Sequence, residues 1–197
     1  FTPSSPNYGK ATPWLAAKND ASKFFNDAHT FTNSLSIEKS TDKSSLSLSY
    51  ANFNQTGILP NSELKKNQMS ARFSQKITEK LTANVYAAVT LQNTVGRNST
   101  GYNDNIMGAM RQWWETNVDI LAQKDAYFNS GGQNATWNLA DPTSAEGLVP
   151  ASWDNPYFTR YKNYSSDDKT RLISYASLNY DITPWMSAMG RVSLDSS

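Results

Sequence analysis

Along the stretch LTANVYAAVTLQN, residues 81–93, Leu81, Ala83, Val85, Ala87, Val89 and Leu91 are apolar, and the residues between them, Thr82, Asn84, Tyr86, Ala88, Thr90 and Gln92, are mostly polar. Alternation with a period of two is the mark of a strand with two unlike faces. It recurs five more times. Residues 30–39 set Phe31, Asn33, Leu35 and Ile37 on one side, and 44–53 set Leu46, Leu48 and Tyr50 against Ser45, Ser47, Ser49 and Ala51. Residues 67–77 set Met69, Ala71, Phe73 and Ile77 against Gln68, Ser70, Arg72, Ser74 and Lys76. The last two segments, 171–182 and 185–195, carry Ala176, Leu178, Tyr180 and Ile182, then Met186, Ala188, Gly190, Val192 and Leu194.

The connections alternate in length: STDK at 40–43 is short, 54–66 longer, TEK at 78–80 short, 93–170 very long, and TPW at 183–185 short. Short links after every odd strand belong at one end of an up-and-down meander. They also set register, because a slip of one residue would turn a whole strand over. The expected pairs are Ile37 with Leu46, Leu35 with Leu48 and Asn33 with Tyr50; Ile77 with Leu81 and Phe73 with Val85; and Ile182 with Met186, Tyr180 with Ala188 and Leu178 with Gly190.

Strands of about ten residues exceed the usual five or six of globular sheets and match the 9–11 that a tilted barrel strand needs to cross a bilayer. The charges well inside them, Glu38, Arg72, Lys76, Asp181 and Arg191, all fall on the polar face. A lysine or arginine facing lipid at mid-depth would cost roughly 2–4 kcal/mol. Outer-membrane barrels carry short turns on one side and long loops on the other, whereas loops beyond about 12–15 residues are uncommon in compact domains. These features predict an all-β fold: about six strands of a much larger antiparallel up-and-down transmembrane β-barrel. In outline, residues 1–29 lead in, 30–92 hold four strands, 93–170 form a long extracellular loop with a helix near 104–128, and 171–195 hold two strands. Known barrels have at least about eight strands, so such a piece expects missing neighbours and no stability alone. The chain opens on Phe1 without the regions of a signal peptide, which also expects a piece of something longer.

Composition changes the picture little. Charged residues make up 18% of 197 and mean hydropathy is −0.62, with no run of about 18 apolar residues for a membrane helix. A net charge of +1 gives no electrostatic case for nucleic acid. With no cysteine, disulfides and thiolate metal sites are excluded.

Residues 21–87, from ASKFF to NVYA, resemble the early barrel of SusC-like (RagA-like) TonB-dependent outer-membrane transporters: a strand after FF, a hairpin, a GILPNSEL loop and a KITEKL turn. DNPYF at 154–158 and SYASLNYDITPWMSAMGRVSLD at 174–195 resemble that family's NPY loop and following strand pair. The resemblance implies a barrel of about twenty-two strands with a plug. It also implies import of oligosaccharides or peptides across the outer membrane of a Gram-negative bacterium, TonB as energy source and a SusD-like surface lipoprotein as lid. Two rivals stand beside it: a SusC-like barrel serving as a structural subunit of a larger outer-membrane complex, and a secreted β-sandwich that binds carbohydrate.

The long loop is the expected functional surface. Met107, Met110, Trp114, Val118 and Leu121 fall at helical spacing within 103–128, with Asn103 or Asp104 as cap. Trp113, Trp114, Tyr127, Trp137, Trp153 and Tyr157 are the candidate partner or ligand contacts, since flat aromatic faces suit sugar rings and protein partners, and equally suit packing of a large loop onto itself. No catalytic residue, cofactor or metal site is expected. His29 is the only histidine and sits at a strand edge, Asp167 and Asp168 are adjacent in a polar stretch without an EF-hand pattern, and Lys65 and Lys66 read as solvated. NQT, NST, NAT and NYS match glycosylation sequons that Asn-rich loops produce by chance.

Overall fold

The computed structural model describes residues 9–11, 13–102, 105–141, 143–144 and 149–197. The chain divides into two compact units. One comprises the N-terminal segment up to Ala28, Gly57–Glu63 and Val95–Ser166, and the other comprises His29–Thr56, Leu64–Thr94 and Asp167–Ser197.

The second unit is built on six strands: β1 (His29–Ser40), β2 (Ser44–Thr56), β3 (Glu63–Lys76), β4 (Leu81–Val95), β5 (Ser166–Thr183) and β6 (Met186–Ser196). They form one sheet in the order β1-β2-β3-β4-β5-β6. In the first hairpin Ile37 stands opposite Leu48, Leu35 opposite Tyr50 and Asn33 opposite Asn52, two residues from the expected register. The displacement comes from the turn: the Thr41 N–H donates to the Ser44 carbonyl at 2.7 Å, and the Thr41 hydroxyl accepts from the Ser44 N–H at 3.0 Å. Asp42 and Lys43, rather than Thr41 and Asp42, therefore occupy the bend. Because the shift is even, every side chain keeps its face. The Ile77 N–H donates to Leu81 at the second turn. In the third hairpin Leu178 faces Gly190 and Tyr180 faces Ala188 as the spacing predicts, but a bulge between Asp181 and Thr183 puts Thr183, not Ile182, opposite Met186.

The polar face is the better packed of the two. Arg72 lies over the Tyr86 ring at 5.4 Å, Tyr86 stacks on Tyr175 with centroids 5.4 Å apart, and Arg191 lies over Tyr175 at 4.4 Å. This cation–aromatic ladder crosses four strands, with Ala88 and Ser177 buried beside it. The apolar side is open: Phe31, Leu35 and Ile37 of β1 are 67%, 63% and 60% exposed.

These observations correct the expected fold. The sheet is open and uncurled, ends at β1 and β6, and belongs to a mixed α/β chain rather than to an all-β transmembrane barrel. The assignment to the SusC-like family falls with the barrel. So do the import role, the alternative of a structural subunit in a larger outer-membrane complex, the SusD-like, TonB and lipid partners, and the outer-membrane location. The sandwich is corrected too, since the six strands make a single sheet. The physical reason is that a period of two reports which face a side chain takes, and a short–long loop rhythm reports that strands run up and down. Neither carries information about curvature or closure, which depend on bulges and on the stagger between strands. Among the described residues, no helix is long and apolar enough to cross a membrane.

Among its described residues the first unit holds a turn of 3-10 helix (Ala21–Phe24) and three short helices, α1 (Ile106–Gln112), α2 (Ile120–Asn129) and α3 (Pro156–Tyr161). The helix expected near 104–128 is two helices. Asp119, in the middle of that stretch, accepts hydrogen bonds from Leu121 N–H at 2.9 Å and Ala122 N–H at 3.2 Å and so starts α2 afresh. The expected caps Asn103 and Asp104 lie outside the described residues. Asn105 caps α1, accepting from Met107 and Gly108.

The core of this unit is Phe24, Ile106, Ile120, Tyr127 and Tyr157, with Phe25, Leu59, Met110, Trp114 and Phe158 against it. Phe24 meets Tyr157 edge-on at 5.1 Å. Burial, followed by the neighbouring Tyr161 and Asp125, pushes the Tyr157 phenol up to about 12. A phenol held above its ordinary value stays neutral in the folded chain at a pH where the unfolded chain ionises. Its contribution to stability is therefore complete below about pH 10 and is lost as the pH rises toward 12. Denaturant midpoints measured between pH 9 and 12 are expected to fall across that window, and to fall less steeply in Tyr157→Phe.

Candidate functional site

Of the six aromatic residues singled out in the sequence, four converge. Trp113, Trp114, Trp137 and Trp153 line a cleft of about 350 Å3 in the first unit, together with Tyr102, Ile106, Met110, Ser152 and Asp154. Tyr127 and Tyr157 are placed elsewhere, in the hydrophobic core, 4% and 3% exposed. Trp153 is central: its ring centroid lies 6.1 Å from Trp113, with the planes 31° apart, and 6.3 Å from Tyr102. Trp113 and Tyr102 are exposed at the rim, whereas Trp114, Trp137 and Trp153 are half-buried.

A run of asparagines holds these rings in place. The Asn138 side chain donates to the Trp153 carbonyl at 2.7 Å and accepts from the Ser152 and Trp153 N–H groups, each at 3.1 Å. Asn155, fully buried, donates to the Gln123 and Ala135 carbonyls, both at 2.7 Å, while its own oxygen accepts from Tyr157 N–H at 2.8 Å and so caps α3. Pro156 at the first helical position supplies the fixed φ that such a start favours. Asn134 donates to Asp154 Oδ1 at 2.8 Å and accepts from the Asn155 N–H at 2.9 Å. Asp154 therefore presents its carboxylate to the cleft from an anchored position.

A second clasp lies at the far side of α3. Arg160, 3% exposed, donates through Nε to the Pro60 carbonyl at 2.8 Å and through Nη2 to the carbonyls of Asn61 and Gly96. Asn61 returns a bond to the Arg160 carbonyl at 2.8 Å. Desolvation holds the Arg160 guanidinium below its ordinary pKa, partly countered by Tyr161.

The other candidates are dispersed. His29 is the exposed first residue of β1, its N–H on the Thr56 hydroxyl at 3.2 Å. Asp168 lies on β5 rather than in a loop and accepts from Asn93 at 2.8 Å. Among the described residues, no group of three or more histidine, aspartate or glutamate side chains could hold a metal ion. Sequence reasoning missed Tyr102, Asp154, Asn138 and Arg160. Asn155–Pro156 carries a legible helix-start signal, but nothing marks Asn138 out in an asparagine-rich chain.

No family model matches the chain, and no curated protein matches it. The motifs behind the SusC-like resemblance have local structural roles here: DNPYF is the capped start of α3, and Leu59–Asn61 is the turn that Arg160 grips.

Proposed function

We propose that this chain is a binding module, not an enzyme, whose four-tryptophan cleft takes a flat hydroxylated ring, a pyranose unit of a carbohydrate. The observation that carries the reading is the convergence of Trp113, Trp114, Trp137 and Trp153 on one concave surface with Asp154 and Ser152 beside them. The face of an indole is electron-rich and meets the slightly positive axial C–H groups of a sugar ring, while the anchored carboxylate and the hydroxyl suit its equatorial hydroxyls. A cleft of about 350 Å3 lies at the lower end of the usual range of small-molecule sites and accommodates one or two rings.

Titration with a panel of neutral oligosaccharides is expected to quench the tryptophan fluorescence saturably. In Trp153→Ala the affinity should fall at least about tenfold, equivalent to 1.4 kcal/mol. Trp185→Ala removes an 82% exposed indole in the turn between β5 and β6 and should leave binding unchanged. Saturation that survives Trp153→Ala, or no quenching by any sugar in the panel, would overturn the reading.

A further inference from the structure

Each of the six strands carries at least two large apolar side chains that stand exposed on one side of the sheet, from Leu35 and Ile37 on β1 to Val192 and Leu194 on β6. Every residue of these strands is described. The charged side chains of the same parity, Lys39, Glu63, Lys65 and Asp168, stand near strand ends and leave the middle of the face uncharged. At one end lies a polar band, where the Tyr50 hydroxyl and the Asn52 amide both donate to Asn67 Oδ1 at 2.8 Å. Those two donors are already paired, so covering them strands neither. An apolar centre beside a satisfied polar border is the anatomy of a protein interface. The area agrees: the middle sections of six strands, each about eight residues long at about 3.3 Å per residue and spaced about 4.8 Å apart, present roughly 750 Å2. The largest apolar patch of a typical monomer is about 300–600 Å2, and a stable dimer takes about 800 Å2 from each partner. This face is larger than a monomer ordinarily leaves bare and close to one half of a standard interface.

Whatever covers the face must be flat, apolar and uncharged across all six strands. A single helix is about 10–12 Å wide and would cover less than half of that breadth. The chain's own sheet has the right breadth, the right composition and no curl. We propose that a second copy of this chain covers the face, the two sheets stacking about 10 Å apart with their strands about 30° from parallel in a two-fold symmetric dimer. Because the middle of the face is uncharged, two identical faces meet there without like-charge repulsion. Arg72 and Arg191, stacked on Tyr86 and Tyr175 on the opposite side, stay outside the contact.

Sedimentation equilibrium of the 197-residue chain over a dilution series is expected to return twice the 21.9 kDa of one chain at the concentrated end and a single chain at the dilute end. Leu178 on β5 is 51% exposed, so a charge there meets water in the single chain and an apolar sheet in the dimer. Leu178→Glu should therefore raise the dissociation constant at least about a hundredfold. Met189→Glu, at a 62% exposed position on the opposite side of β6, should leave it unchanged. Far-UV circular dichroism checks that both variants keep the sheet. The unaltered chain supplies a reading that needs no variant: fluorescence of the apolar probe ANS should rise as dilution frees the face. A chain that stays monomeric at every concentration and binds ANS throughout would overturn the proposal and give the face to a different partner. A dimer that Leu178→Glu leaves intact, or species that grow beyond a dimer by edge-to-edge pairing of β1 and β6, would overturn it as well. None of these readings depends on what occupies the tryptophan cleft.

Discussion

Gly96→Ala is expected to lower the unfolding free energy by about 3 kcal/mol or more, which would be among the largest effects of any single methyl group in this chain. Gly96 has φ at +65°, a region where a side chain costs about 1–3 kcal/mol. The added Cβ would also run into the backbone carbonyl of Asn61 and approach Nη2 of Arg160. Neither contact relaxes cheaply, because the carbonyl belongs to backbone and the guanidinium is fixed by three acceptors. Moving Arg160 aside would leave buried carbonyls unpaired at about 1–3 kcal/mol each. Gly101→Ala is the matched control: a Cβ there meets nothing within 4 Å, so its urea midpoint should stay near that of the parent. Equal midpoints for the two variants would refute the clasp as a source of stability.

Asn155→Ala should cost about 3 kcal/mol. The wild-type side chain, with no exposure, satisfies the Gln123 and Ala135 carbonyls and the Tyr157 N–H together. Alanine leaves three buried backbone groups without that partner and removes the cap of α3. Asp would keep the acceptor for the Tyr157 N–H but would set a buried carboxylate oxygen against the Gln123 and Ala135 carbonyls, so Asn155→Asp is expected to have a denaturant midpoint no higher than that of the alanine variant. Because Asp154 and Trp153 precede this residue directly, the same loss should loosen the tryptophan cleft and weaken ring binding more than the stability change alone would do. Fluorescence titration at a temperature where both variants remain folded measures that part.

How much was legible beforehand differs between the two units. In the sheet, the alternation from Leu81 to Leu91 and its five counterparts mark six strands, and the even spacing around Thr41 and Pro184 keeps each face intact despite a displaced turn and a bulge. Strand patterns of this kind are local, since each residue reports its face through its immediate neighbours. The first unit is different. Trp113 and Trp153 meet although they lie 40 positions apart, and Arg160 bonds to carbonyls 64 to 100 positions away. No periodicity encodes such pairs. The break at Asp119 was readable as a cap signal, yet it lies inside a run that also fits helical spacing, and only the hydrogen bonds to Leu121 and Ala122 choose between the two. Tyr127 and Tyr157 show the same limit: an aromatic ring that stacks in a core and one that lines a cleft have identical local signatures, and what separates them is contact with remote rings, Tyr161 against Tyr127 and Phe24 against Tyr157.

By itself, the sequence determined the strands, their order along the chain and the division of polar from apolar faces, because those properties depend on the period of side chains along a backbone. Tertiary structure alone decided that the sheet stays open, which tryptophans share a cleft and which arginine is buried. Closure, convergence and desolvation depend on distances between segments remote in the chain, and a linear pattern of residue types does not contain those distances.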